Sequence, residues 1–262
     1  FDAICHSFST VAIGGFSTHD ASIGYFDSAA IEAVAVVFML ISGLNYALHF
    51  FTVRDHSIRH YFQDEEARFY LVIIIIAIVI TAIVLATTLT SGETAIRQAV
   101  FQVVSIFTTT GFATTQFSEW PSILPYLLIL GAFAGACAGS TGGGLKIIRV
   151  LLIYKQGLRE IYRLIHPNAI FPIKVSGRKM TDNVIDAVWG FFSIYILLFI
   201  VLLLGLIATD LDFVTAFSAV GSALNNLGPG LGAVAENYAE ISSTAKFLLC
   251  LGMVLGRLEI FT

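Results

Sequence analysis

Long apolar runs and half-length apolar runs alternate along this chain, and the half-length runs lead into turns that contain glycine. The clearest long runs extend from Phe69 to Leu89 and from Val188 to Ala208. Each can cross a bilayer, which takes roughly 20 helical residues for about 30 Å of hydrocarbon. The half-length runs, from Thr94 to Phe107 and from Phe213 to Leu224, are too short to cross. They predict segments that enter the membrane and return.

The composition also indicates a membrane protein. Hydrophobic residues make up 57% and charged residues 12% of the 262 positions, whereas soluble domains carry about 25% charged residues. The mean hydropathy is +0.86. The three cysteines, Cys5, Cys137 and Cys250, are widely spaced among apolar residues. They therefore indicate neither a disulfide framework nor a metal site.

The positions of the charges predict which connections face the cytoplasm. Eleven of the fourteen Lys and Arg residues fall within residues 54–68 and 146–179, and cytoplasmic loops are rich in such residues. The other connections are acidic and are predicted to face outward, where they would concentrate cations at an outer vestibule. Their acidic residues are Asp20, Asp27, Glu93, Glu119, Asp210, Asp212, Glu236 and Glu240.

A divergent sequence unit occurs three times. The copies read Ser-Thr-Val-Ala-Ile-Gly-Gly-Phe from Ser9, Ser-Ile-Phe-Thr-Thr-Thr-Gly-Phe from Ser105 and Ser-Ala-Leu-Asn-Asn-Leu-Gly-Pro from Ser222. Aligned on Gly15, Gly111 and Gly228, each copy has its serine six residues earlier. The surrounding pattern predicts a unit of helix, re-entrant half-helix, extended loop and helix.

This unit divides the chain into three parts. Residues 1–66 hold the end of a half-helix, its loop and a span from Phe26 to Phe51. Residues 67–180 hold a complete unit with a cytoplasmic segment, and residues 181–262 hold a further unit up to the start of its last helix. Because the chain begins inside a motif and ends within an apolar run, we expect it to belong to a longer protein.

The loops of the three copies have the chemistry of a cation filter. Backbone carbonyls can replace the water oxygens of a dehydrated monovalent ion without adding net charge. Threonines favour extended backbone and add hydroxyl oxygens, while glycine permits the required φ values. The alternative is three ordinary outer loops with glycine turns. The predicted positions that bind the ion are Ala12, Ile13, Gly14, Gly15, Thr108, Thr109, Thr110, Gly111, Asn225, Asn226, Leu227 and Gly228.

These loops resemble the selectivity-filter repeats of the Trk, Ktr and HKT superfamily of potassium transporters, most closely those of the TrkH type. The resemblance rests on Ala12 to Thr18, Thr108 to Thr114 and Asn225 to Gly230 and covers nearly the whole chain. It implies an all-α polytopic membrane protein with four such units arranged pseudo-fourfold around one pore. This chain would supply the third and fourth units and most of the second. Pro229, where the other copies have Phe, implies a less regular filter than a tetrameric channel has.

The resemblance also implies a function and partners. It implies gated potassium uptake across the bacterial inner membrane, with potassium as the transported ion, no cofactor and no nucleic-acid partner. It further implies contact with membrane lipid, a TrkA-like cytoplasmic nucleotide-binding regulatory subunit, and a homodimer in which each protomer has its own pore.

A glycine-rich segment, residues 135–144, interrupts the span predicted from Ser122 to Tyr154. An internal Gly costs about 1 kcal/mol relative to Ala in a helix, so a continuous helix is disfavoured. The segment predicts an unwound intramembrane loop, with close glycine packing between helices as the alternative. The resemblance implies a gating loop, with gate residues Gly135, Gly139, Gly142, Gly143 and Gly144.

Arg257 lies inside the last apolar run. A charge at the centre of a membrane helix costs at least about 2.5 kcal/mol, so Arg257 is predicted to face water or a partner. The resemblance implies a position in the pore below the filter, as part of the gate, where its charge would repel cations. A snorkelling side chain or a pair with Glu259 is the alternative.

Three classes of function compete on the sequence alone. A gated pore is favoured because the charge pattern places every filter loop on the same side, as in parallel repeats. A potassium cotransporter coupled to protons or sodium has the same fold and is the alternative. An intramembrane enzyme is disfavoured because no HExxH motif or Ser-His-Asp set is evident.

Overall fold

The computed structural model describes residues 1–88, 92–121 and 123–257. Within these ranges the chain is mostly helical and has only one two-stranded hairpin, which confirms the predicted all-α class. The α-helices are α1 (Asp2–Val11), α2 (Ala29–Ser42), α3 (Tyr46–Arg54), α4 (Arg59–Gln63), α5 (Glu65–Thr88), α6 (Gly92–Phe107), α7 (Leu124–Ala134), α8 (Ile147–Ile165), α9 (Asp182–Ile207), α10 (Phe213–Asn225) and α11 (Ser243–Arg257). Short 3₁₀ helices cover Ser22–Phe26, Phe117–Glu119 and Gly232–Val234.

Two helices of the described chain, α5 and α9, are long and apolar enough to cross a membrane. They contain 24 and 26 residues. Both coincide with the predicted long runs, except that Leu89 lies outside the described residues. Only 28% of the α5 span and 22% of the α9 span are buried, and isoleucine, leucine and valine side chains are prominent among the exposed residues. Such a surface is suited to lipid rather than to water.

The prediction of one continuous span from Phe26 to Phe51 is wrong. The chain forms α2 and α3 instead, and these helices meet at an angle of 93°. The carbonyl of Gly43 at the break accepts a hydrogen bond from the amide of Cys137 at 2.9 Å. Asn45 caps α3 by accepting from the amide of Ala47 at 2.8 Å. The helix can break here because both freed backbone groups have new partners.

The half-length helices lie among the longer ones. Helix α6 packs against α2, α5 and α7, and α10 packs against α7, α9 and α11. Small residues allow this approach: Ala95 and Ala99 of α6, and Ala216 and Ala219 of α10, have no solvent exposure. Helix α1 packs against α2. Each half-length helix is therefore held by its neighbours at a depth that it could not reach alone in lipid.

A small hairpin departs from the all-helical prediction. Strand β1 (Lys174–Val175) pairs antiparallel with β2 (Arg178–Lys179), with Lys174 opposite Lys179. At the turn, the amide of Ser176 donates to Glu65 at 3.0 Å and its hydroxyl donates to Asp64 at 3.2 Å. The hairpin is thereby fixed to the beginning of α5.

An ion pair joins the first two units of the chain. Arg97 on α6 donates to both carboxylate oxygens of Glu32 on α2, each at 2.8 Å. It also donates to Asp27 at 3.1 Å. The Glu32 side chain is 7% exposed and that of Arg97 is 38% exposed. A two-bond guanidinium–carboxylate pair of this kind fixes the orientation of both helices.

We predict that Arg97→Met lowers the free energy of unfolding by about 2 kcal/mol, because Glu32 would be left charged, buried and without its main partner. The thermal unfolding midpoint in detergent measures this change. Arg54→Met is the matched control, since Arg54 is 57% exposed and pairs only with its neighbour Asp55 in the described part of the chain. Equal midpoints for the two variants would contradict the prediction.

Candidate functional site

Each half-length helix ends in the same hydrogen-bonded cap. In α6, the amide of Thr109 donates to the carbonyl of Ile106 at 3.0 Å and that of Thr110 to Ser105 at 2.8 Å. This pair of bonds is a Schellman motif, which satisfies the last carbonyls of a helix. The same pair of bonds closes the other two helices. In α1 the amides of Ile13 and Gly14 donate to the carbonyls of Thr10 at 3.1 Å and Ser9 at 2.8 Å. In α10 the amides of Asn226 and Leu227 donate to the carbonyls of Ala223 at 3.1 Å and Ser222 at 2.9 Å.

The backbone after each cap has positive φ at two positions, separated by one residue. The values are +51° at Ile13 and +67° at Gly15, +63° at Thr109 and +86° at Gly111, and +53° at Asn226 and +103° at Gly228. Such φ values are rare for β-branched side chains and cost about 1–3 kcal/mol per residue. Because Ile, Thr and Asn share one conformation, the cap imposes it, and the side chain does not select it.

The loops at and after the caps (residues 12–16, 108–112 and 225–229), here called the filter segments after their predicted role, contact one another through glycine. A Cβ atom added to Gly15 would lie 2.0 Å from the carbonyl oxygen of Thr110, and one added to Gly111 would lie 2.1 Å from that of Leu227. No side chain fits at either position. At Gly228, no described atom lies within 4 Å of the added Cβ. The first segment therefore contacts the second, and the second contacts the third.

A cavity of about 790 Å³ opens between these segments. Its wall includes residues 12–14, Thr109, residues 226–228, Gly143 and Arg257. Predicted positions from all three copies, from the glycine-rich segment and from α11 therefore meet at one space. Thr108, Thr110 and Asn225 are fully buried and do not belong to the wall of this cavity.

The hydroxyl groups of the threonines are occupied by protein partners. Thr108 Oγ1 donates to the carbonyl of Val104 at 2.7 Å and lies 2.7 Å from Thr110 Oγ1. Thr109 Oγ1 accepts from the amide of Gly143 at 2.7 Å. The side chain of Asn225 accepts from Tyr195 Oη and donates to the carbonyl of Gly221, both at 2.8 Å. These side chains hold the filter segments in place, and their polar atoms are already hydrogen-bonded within the protein.

The repeated serines have a role that the sequence did not reveal. Ser105 Oγ donates to the carbonyl of Phe112 at 2.7 Å, and Ser222 Oγ accepts from the amide of Gly228 at 2.9 Å. Ser105 and Ser222 thus bond to their filter segments through the side chain as well as through the cap, whereas the buried Ser9 Oγ has no hydrogen-bond partner among the described residues. Their constant distance from the glycine in the sequence was the available signal.

Residues 135–146, between α7 and α8, are non-helical, and they lie against the filter segments. A Cβ added to Gly142 would lie 3.0 Å from the carbonyl of Thr108, and one added to Gly143 would lie 2.1 Å from the carbonyl of Asn225. Gly135, Gly139 and Gly144 have φ of +68°, +72° and +80°. The glycines therefore serve two needs, which are close approach to the filter and backbone angles that L-residues rarely adopt.

Two charged residues that the sequence analysis did not select hold this loop. Glu66 is buried at the beginning of α5 and accepts from the amides of Ala138 at 2.6 Å and Ile148 at 3.2 Å. Lys146 is also buried and donates to the carbonyl of Gly142. A Glu next to a long apolar run was the sequence signal for the first of these anchors.

Arg257 is exposed on the cavity side of α11. Its Nη1 donates to the carbonyl of Thr141 at 3.0 Å, and Thr141 Oγ1 donates to the carbonyl of Val11 at 3.1 Å. Arg257 is therefore bonded to the glycine-rich loop, and the loop is bonded to the end of α1. The alternative partner Glu259 lies outside the described residues.

Half-length helices whose capped ends meet at one cavity, among helices that can span a membrane, define a polytopic helical membrane protein. The model of the TrkH family, described as a cation transport protein, matches residues 1–262. The chain therefore belongs to the TrkH family, whose curated members are transporters rather than enzymes.

Individual relatives agree with this assignment. The chain is 55% identical to "Trk system potassium uptake protein TrkH" of Halomonas elongata over 265 residues and 52% identical to the protein of the same name of Escherichia coli K12 over 268 residues. Each match covers 100% of this chain and 55% of the relative. The crystal structure of the potassium transporter TrkH from Vibrio parahaemolyticus matches with a TM-score of 0.94 at 53% identity, covering 99% of this chain and 56% of that one. The chain thus spans about half the length of the curated relatives it matches.

We predict that Thr109→Val frees the glycine-rich loop from the filter. Valine keeps the shape and β-branching of threonine but leaves the amide of Gly143 without its acceptor, at a cost of about 1 kcal/mol or about fivefold in local opening. Hydrogen–deuterium exchange of the peptide that contains Gly143 measures this change.

Thr87→Val on α5 is the control, because among the described residues the Thr87 hydroxyl bonds only to carbonyls of its own helix, Ile83 and Val84, both at 3.0 Å. The prediction fails if the two variants exchange at the same rate at Gly143.

Proposed function

We propose that this chain forms part of a gated potassium pore and that the carbonyls of its filter segments bind the ion. The single observation that carries the proposal is the repeated cap, which gives three unlike sequences one strained backbone conformation beside one cavity. Relatives that share 52–55% of its residues are named potassium uptake proteins, which supports potassium as the ion.

The ion would be stabilised in two ways. Alternation of positive and negative φ turns successive carbonyl groups toward the same side, so that they can replace the waters that the ion loses. The ends of α1, α6 and α10 also point toward the cavity, and the C-terminus of a helix carries about half a negative charge. Together these dipoles favour a monovalent cation without placing a carboxylate in its path.

The three parts of the chain would serve as three of four quasi-equivalent units around the pore. We propose that residues 1–66 are the remainder of the second unit, that residues 67–180 are the third unit and that residues 181–262 are the fourth. The contacts of Gly15 and Gly111 with the next filter segment support this order. A fourth segment would contact Gly228 and close the ring.

The glycine-rich loop and Arg257 are proposed as the gate. The hydrogen bond from Arg257 to Thr141 and that from Gly143 to Thr109 support a closed state in which the loop covers the inner side of the filter. The guanidinium group would raise the electrostatic barrier to a cation at this point. Movement of the loop would have to break both hydrogen bonds.

The membrane in which the protein lies, its orientation there and its partners are also proposals. We place it in the bacterial inner membrane, with residues 54–68 and 146–179 toward the cytoplasm because they contain most of the Lys and Arg residues. A TrkA-like regulatory subunit is proposed to bind on this cytoplasmic side. A homodimer with two separate pores is proposed from the family resemblance.

The experiment is potassium, rubidium and sodium flux in proteoliposomes, using a protein of the relatives' full length that contains this chain. We predict that Gly111→Ser lowers the potassium-over-sodium ratio about tenfold, because serine at positive φ is strained and its Cβ would displace the carbonyl of Leu227. Gly157→Ser on α8 is the control, since nothing lies within 4 Å of its added Cβ in the described chain.

In the same assay we predict that Arg257→Ala increases potassium flux, because the charge that opposes the ion is gone. Flux that is indifferent to both Gly111→Ser and Arg257→Ala would show that the cavity is not the permeation path. Potassium flux that requires a proton or sodium gradient would instead assign the protein to cotransport.

A further inference from the structure

The third filter segment has a side-chain contact that neither of the other two shows among the described residues. The hydroxyl of Tyr238 donates to the carbonyl of Gly228 at 2.9 Å. The amide of the same glycine donates to Ser222 Oγ at 2.9 Å. Side chains therefore hold both polar groups of one filter glycine. Tyr238 also lies on the wall of the cavity that the filter segments enclose.

We propose that Tyr238 is a specificity-determining residue of the pore, which fixes the Gly228 carbonyl and thereby sets how the filter discriminates between monovalent cations. This inference rests on the proposed function, because it assigns a role within the same filter. No motif of the sequence pointed to Tyr238, which lies ten residues after the glycine and outside the repeated unit.

The physical argument concerns the strength and freedom of a single oxygen. A carbonyl that accepts a hydrogen bond from a tyrosine is restrained in position, and part of its negative potential is used by that bond. Selection between ions of different size depends on how far carbonyl oxygens can move toward the smaller one. A restrained oxygen at Gly228 would follow a small ion less closely than a free one.

The first two filter glycines are restrained differently. Gly15 and Gly111 approach the carbonyls of Thr110 and Leu227 so closely that a Cβ would lie at 2.0 and 2.1 Å. Backbone packing thus limits their movement. Gly228 has no described atom within 4 Å of an added Cβ, so in the described chain its position depends on the bonds to Ser222 and Tyr238.

The loop that carries Tyr238 is itself anchored to α10. Ser218 Oγ accepts from the amide of Leu231 at 2.8 Å, and Thr215 Oγ1 accepts from the amide of Ala233 at 3.0 Å. Beyond the tyrosine, Lys246 Nζ donates to the carbonyl of Ala239 at 2.7 Å. Bonds on both sides therefore hold the tyrosine, and its hydroxyl is a fixed donor toward the filter.

The test compares Tyr238→Phe, which removes only the hydroxyl, with wild type in the full-length proteoliposome assay. We expect potassium flux to persist and the potassium-over-sodium permeability ratio to fall about fivefold, as loss of one hydrogen bond predicts. Tyr126→Phe is the matched control, because Tyr126 is on α7 and 41% exposed. A second readout is the shift in thermal unfolding midpoint on adding rubidium or sodium chloride, which should discriminate less between the two salts in Tyr238→Phe.

Each outcome decides the inference. A wild-type protein that conducts potassium, with an unchanged ratio in Tyr238→Phe, overturns the role of Tyr238 and leaves the proposed function standing. A wild-type protein that conducts no potassium overturns both. A Tyr238→Phe protein that cannot be recovered folded would also overturn the inference, since it would assign the hydroxyl to folding. An equal loss of selectivity in Tyr126→Phe would also overturn the inference.

Discussion

Every backbone group that leaves a helix inside a membrane must find a partner within the protein, because lipid offers none. This constraint governs the structure. It is met three times by the Schellman cap at the ends of α1, α6 and α10, and it is met again where α2 and α3 separate. The filter segments are possible only because the caps satisfy the carbonyls that the helices leave open. The strained φ values at Ile13, Thr109 and Asn226 are a product of the same caps.

The glycine-rich loop extends this dependence to the proposed gate. Its amides and carbonyls are bonded to a filter threonine, to Glu66, to Lys146 and to Arg257. The loop is therefore irregular in shape, yet these amides and carbonyls have hydrogen-bond partners. Opening of the loop would replace these hydrogen bonds by hydrogen bonds to other protein groups or to water. This explains why charged residues occur at a depth where an isolated charge is unfavourable.

The sequence predicted the helical fold well, because it follows from hydrophobic length, and the repeat marked positions of which several meet at one cavity. The half-length runs became α6 and α10, and the glycine-rich segment became a non-helical loop. It did not predict the break after Ser42, because that break depends on bonds to residues about 90 positions away, at Cys137 and Gly139. Glu66 was missed for the same reason, because its partners Ala138 and Ile148 are far away in the sequence. Lys146 and Tyr238 bond to carbonyls nearer in the sequence, at Gly142 and Gly228, but they lie in irregular segments where no periodic pattern predicts such contacts.

The contacts between filter segments have a direction. Gly15 meets the following segment, and Gly111 meets the one after it, so the second copy offers a glycine to its successor and a carbonyl to its predecessor. Head-to-tail contacts of this kind generate rings when the rotation closes. In a ring of identical subunits, a substitution changes every such contact at once. Here the copies lie in one polypeptide, so a substitution at Gly15 or at Gly111 alters one contact between segments without the other.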